Sequence, residues 1–127
     1  MKKKLFKAFL IICLLMFSLT LVSCSGSGAS KGYKIRKEET KNFYVSNGLP
    51  EDTVIYGSCQ YVKVVRDGSR DVYFYKANYT TLGRSYIEFF AWIDGDSSTE
   101  DSSETAFNLA YKQVSNGQAN GETGTVN

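Results

Sequence analysis

The sequence predicts an α+β domain: a small antiparallel β-meander of three to five strands, with one C-terminal helix packed on a sheet face. Three observations carry that expectation. Residues 52–65, 72–79 and 84–93 are each rich in Val, Ile, Tyr and Phe and are bounded by turn-forming residues. Between the first two lies Asp67-Gly68, the strongest short hairpin signal, because glycine accepts the positive φ that such turns need. Phe107, Ala110, Tyr111 and Val114 then recur at i, i+3, i+4 and i+7, the spacing of one helical face. A chain of 127 residues suits one small domain with appendages.

Residues 1–24 read MKKKLFKAFLIICLLMFSLTLVSC. Lys2, Lys3, Lys4 and Lys7 precede the apolar stretch Ala8–Phe17, the pattern of an export signal with its positive end held in the cytoplasm. The apolar run is too short for a membrane span, which takes about 20 residues, and Ser18 and Thr20 interrupt its end. The segment closes on Leu21-Val22-Ser23-Cys24, which resembles the lipobox of bacterial lipoproteins. The resemblance covers residues 1–24 alone. It implies that residues 1–23 are a signal peptide and that the Cys24 thiol carries a diacylglyceryl group. It also implies that cleavage falls just before Cys24 and that the new amino group is often acylated. The partner so implied is a lipid bilayer, reached through acylated Cys24 on the extracytoplasmic side of the cell membrane. Ser25, where Asp would retain the protein, implies the outer membrane in an organism that has one. Two or three acyl chains hold a protein durably where one holds it marginally.

After the lipobox, residues 24–32 (CSGSGASKG) are expected to form a lipidated cysteine and a flexible Gly/Ser tether. Residues 33–116 are the folded domain, and residues 117–127 (GQANGETGTVN) read as a disordered tail. Tyr33–Lys37 and Phe43–Val45 are candidate early strands, and Asn47-Gly48-Leu49-Pro50 is a loop. The basic run of Lys31, Lys34, Arg36, Lys37 and Lys41 reads as a solvated strand, since Glu38 and Glu39 interrupt it. For the C-terminal helix, Asp101-Ser102-Ser103-Glu104 supplies the N-terminal cap and Asn116-Gly117 the stop.

A second connection at Thr80–Gly83 sets Tyr79 near Arg84 and divides the last two strands into two faces. Tyr73, Tyr75 and Tyr79 share one with Tyr86, Glu88, Phe90 and Trp92. Val72 and Phe74 share the other with Ile87, Phe89, Ala91 and Ile93. The second set is the more aliphatic and is expected to be the core that takes the helix. Tyr73, Tyr75, Tyr86, Phe90 and Trp92 of the first set form a candidate binding face for an envelope protein or a glycan. The competing expectation is that both faces are covered, or that these are ordinary cross-strand pairs.

Chemistry is constrained from the start by the absence of histidine, which excludes Ser-His-Asp and Cys-His nucleophiles and histidine-ligated metals. Cys59 is the one thiol left after the signal is removed and Cys24 is lipidated, and it lacks a histidine base to activate it. Asp94 and Asp96 open an acidic loop that is a weak calcium candidate. An EF-hand would need Gly and Glu where Thr99 and Thr105 stand. No phosphate-cradling loop, dinucleotide fingerprint or cysteine pair is present, and no cofactor is expected. Without the four N-terminal lysines, eleven basic residues face thirteen acidic ones, so nucleic-acid binding has no support. The expected function is a lipid-anchored, non-catalytic binding or structural module of the cell envelope. The alternative is a small envelope hydrolase using carboxylates such as Glu88 and Asp94.

Overall fold

The structure is a computed structural model describing residues 18–127, with side chains from Gly28 onward. The expected signal residues 1–17 lie outside the described residues, as does the Cys24 side chain. The elements in order are α1 (Ser18–Ser46), β1 (Ile55–Val64), β2 (Val72–Thr81), β3 (Arg84–Ile93), β4 (Glu100–Asp101), α2 (Glu104–Ser115) and β5 (Gly121–Val126). The five strands form one antiparallel sheet ordered β4-β3-β2-β1-β5, with a helix on each face. The α+β class and the central meander are as the sequence predicts. Among the described residues, no helix is long and apolar enough to cross a membrane.

The turn signals hold. Gly68 sits at φ +65° between β1 and β2. The β2–β3 turn is tighter than expected, since Thr81 pairs with Arg84 and only Leu82 and Gly83 lie between them. Both take positive φ, +51° and +77°, as a two-residue hairpin loop demands. Tyr73 therefore faces Trp92 and Tyr75 faces Phe90, a register two residues away from the expected one. Because side chains alternate with period two, that shift leaves the division into faces unchanged.

The larger corrections concern the two chain ends. Residues 28–32, expected in a flexible tether, and 33–37 and 43–45, expected as strands, all belong to α1. Ala29 and Tyr33 are fully buried. Gly28 lies under the Tyr73 ring and Gly32 under Tyr75 and Trp92 so closely that an added Cβ would overlap them. Glycine costs a helix about 1 kcal/mol relative to alanine. Here it lets the helix axis approach a floor of large rings, and packing supplies the stability that propensity lacks. The helix runs along β2, with Gly28 at Tyr73, Gly32 at Tyr75, Arg36 at Phe90 and Glu88, and Thr40 at Tyr56. Four helical residues advance about 6 Å and two strand residues about 6.6 Å, so the two ladders stay in step over the whole length.

The tail is also structured. β5 pairs with β1 from Cys59↔Val126 to Val64↔Gly121, and Val126 enters the core. Gly124 gives the Tyr61 ring the space a side chain would fill.

The main core lies on the aromatic face rather than the aliphatic one. Tyr75 and Phe90 stack at 4.6 Å, with Tyr73 and Trp92 at 5.5 Å beside them and Tyr33 of α1 above. Each such pair adds about 0.5–1.5 kcal/mol to the area it buries. The aliphatic face carries a smaller cluster, Val62, Phe107 and Ala110, with Val64, Phe74, Phe89 and Val114 against it. The C-terminal helix packs there as expected, capped by Ser103 Oγ, which accepts from the Ala106 amide at 3.1 Å.

Candidate interaction surface

The sequence-predicted binding face is the interior of the protein. Tyr73, Tyr75, Phe90 and Trp92 are at most 2% exposed, because α1 covers them, and they offer nothing to a ligand. Their polar atoms are used internally, with Tyr75 OH donating to Ala29 O at 2.8 Å and Trp92 Nε1 to Asp96 O at 2.8 Å. Tyr86 alone of that set is exposed, stacked on Tyr79 at 5.5 Å.

Glu88 is engaged at both oxygens. Tyr56 OH donates to Oε1 at 2.6 Å, while Arg36 donates Nη2 to Oε2 at 2.6 Å and Nε to the same atom at 3.2 Å. Arg36 reaches on to Asp101 and Thr99, and Glu39 accepts from the Thr99 amide at 3.0 Å. These bonds fasten α1 to β3 and to the acidic connection beyond it. A general acid or base needs a carboxyl free to meet substrate, and Glu88 is held as a brace between helix and sheet. Sequence reasoning left Arg36 in a solvated strand. Its spacing of four from Gly32 and from Thr40 is the signal that places it on the buried side of a helix.

The calcium candidates do not converge. Asp96 Oδ1 accepts from Arg70 Nη1 at 2.7 Å, and among the described residues no group of three or more His, Cys, Asp or Glu side chains is arranged to hold a metal. Lys34, Lys37 and Lys41 line an open groove outside α1 together with Glu38 and Glu51, so its charge is mixed.

Cys59 is fully buried, and burial pushes its thiol up to about 12, far from the thiolate a nucleophile requires. Burial likewise raises Tyr73 to about 12, with Asp94 adding to the shift, and raises Tyr33, Tyr56 and Tyr75 as well. These groups are uncharged when protonated, so their burial favours the fold below the unfolded values of 9.0 and 10.0. That contribution disappears as pH climbs toward about 12. Alkaline titration is expected to show the tyrosinate absorbance of the buried rings rising together with loss of near-ultraviolet circular dichroism. All nine tyrosines ionising near pH 10 with the fold intact would contradict that burial.

What the sequence did not mark is the end of the sheet farthest from Gly28, where β1 begins, β2 turns into β3 and α1 finishes. Thr81 Oγ1 donates to Thr53 O at 2.8 Å there, tying the chain before β1 to the hairpin. Ile55, Leu82, Tyr86 and Ile87 of this end are exposed, and so are Phe43 and Leu49 at the close of α1 and just after it. Ile55 and Ile87 lie on the α2 side of the sheet, beyond the residues that α2 covers. Leu82 is the extreme case. It is 92% exposed at the hairpin tip and sits at φ +51°, a conformation that asparagine or glycine adopts at lower cost. Nothing within the fold is gained from a leucine at that position.

Comparison with known proteins finds no matching family, curated protein or solved structure.

Proposed function

We propose that the protein is a membrane-anchored lipoprotein, held by acylated Cys24, whose α+β domain is a binding module that meets its partner at the sheet end away from the anchor. The anchor rests on the order of lysines, short apolar run and Leu21-Val22-Ser23-Cys24 in the sequence. The binding role is carried by Leu82, a large apolar side chain kept in a disfavoured backbone conformation at an exposed tip. Such an outlier points from structure toward function. The surroundings define the class of partner. Aliphatic Ile55, Leu82 and Ile87 dominate, which suits the apolar surface of another envelope protein better than a glycan, whose hydroxyls require polar side chains around an aromatic platform. Catalysis draws no support from a Glu88 occupied on both oxygens.

The anchor is tested by feeding cells a labelled fatty acid. Label enters the wild-type protein and is absent from Cys24→Ser, which is released or left unprocessed; label retained by that variant contradicts the assignment. The surface is tested with Leu82→Asn, which relieves the backbone and is expected to stabilise the domain by about 0.5–1 kcal/mol. In the same variant, photocrosslinking from Ile87 to an envelope protein is suppressed. A crosslink that persists unchanged, or that joins two copies of the chain, rejects this surface as the partner site.

A further inference from the structure

Among the described residues, no flexible tether separates Cys24 from the domain. Ala29 is fully buried, its carbonyl accepts from Tyr75 OH, and Gly28 already lies against Tyr73. The backbone from Ser18 through Ser46 is one helix. Only Ser25, Gly26 and Ser27 separate Cys24 from the first docked residue. Helical, that interval spans about 6 Å, and pulled straight it reaches about 14 Å. We propose that the near end of the sheet, carrying the Arg66–Arg70 turn and the Asp94–Asp96 turn, seats directly on the lipid headgroups. The proposal rests on the Cys24 anchor and extends it from attachment to orientation.

The near end fits a headgroup layer through proximity rather than charge. Lys63 pairs with Asp71 and Arg70 with Asp96, and Arg66 is offset by Asp67 in the same turn and by Asp94, so the charge of this end is balanced. Seating is therefore set by the short covalent link and is insensitive to the lipid headgroup's charge. From Gly28 to Ser46, α1 rises about 28 Å, so the Leu82 tip stands that far off the membrane and faces outward. The anchoring helix is at once the cover of the core and the post that sets this height.

Energy transfer to a headgroup-labelled lipid, with a dye pair whose transfer distance is well below the height of α1, measures the arrangement. The lipidated protein is placed in phosphatidylcholine vesicles, with a dye on Ser69→Cys in one sample and on Leu82→Cys in another. Buried Cys59 stays unlabelled in the folded protein. The Ser69 site is expected to lose most of its donor emission and the Leu82 site to keep most of it, with the same result when phosphatidylglycerol is added. A ten-residue Gly/Ser insert after Ser25 is expected to remove the difference. Equal transfer from both sites in the uninserted protein overturns the seating, and so does an insert that changes nothing. A protein that carries no lipid label fails the anchor assignment instead, so the two failures are told apart.

Discussion

Gly32→Val is expected to lower the melting temperature by roughly 10 °C or more, a large loss for a glycine in a stretch that reads as a linker. A Cβ at residue 32 would stand 2.6 Å from Trp92 Cε3 and closer still to the Tyr75 hydroxyl. Neither neighbour can yield cheaply. Trp92 is 1% exposed among packed rings, and Tyr75 OH is committed to Ala29 O. Valine gains about 0.4 kcal/mol in helix propensity over glycine. Overpacking a close-fitted core costs about 1–3 kcal/mol, and the added γ-methyls press further on the same rings. The packing loss wins. Calorimetry of residues 24–127 checks the outcome, with Gly48→Val as a control for valine added where nothing lies within 4 Å. Because Gly48 itself has φ +83°, the control carries backbone strain without a clash. A Gly32→Val domain as stable as wild type would mean that α1 does not lie on the sheet.

Removing residues 119–127 is expected to cost roughly 3–5 kcal/mol, a large part of the 5–15 kcal/mol that holds a typical domain together. The deletion strips β5 from β1 along all six paired positions and withdraws Val126 from the core. It also removes the Glu122 carboxylate that accepts from Tyr61 OH at 2.9 Å. Cys59, Tyr61 and Val62 then lie on a bare sheet edge, which invites pairing with other chains. Urea unfolding reads the loss as a lower midpoint, and light scattering reads the exposed edge as association. A truncated chain that unfolds at the wild-type midpoint would restore the expectation of a disordered tail.

The central strands were legible because their signals are local. Val, Ile, Tyr and Phe in runs of about ten, with Asp67-Gly68 and Leu82-Gly83 between them, set the antiparallel meander before any long-range contact is considered. The faces survived a two-residue error in register for the same reason, since alternation alone decides them. The termini were illegible because their signals depend on the partner. Gly28, Ala29 and Gly32 carry little hydrophobicity, the two glycines have poor helix propensity, and the three make a docking face only against Tyr73, Tyr75 and Trp92. Thr123, Thr125 and Val126 give β5 little more than a hint of a strand, and Gly124 is useful there only because Tyr61 needs the room. Misplacing α1 also misplaced the candidate site. Without a cover, the tyrosines and Trp92 look like a binding surface; with it, the largest group of exposed apolar side chains lies at the far end, which no sequence motif marks.

The claim on which both the core and the anchor geometry depend is that residues 28–32 form a docked helix. Amide hydrogen exchange measures it residue by residue. The amides of Gly32, Tyr33 and Arg36 are expected to exchange only with global unfolding, at rates matching those of Tyr75 and Phe90 in the sheet. Exchange at residues 28–33 as fast as in an unfolded peptide, with β2 and β3 still protected, would contradict it.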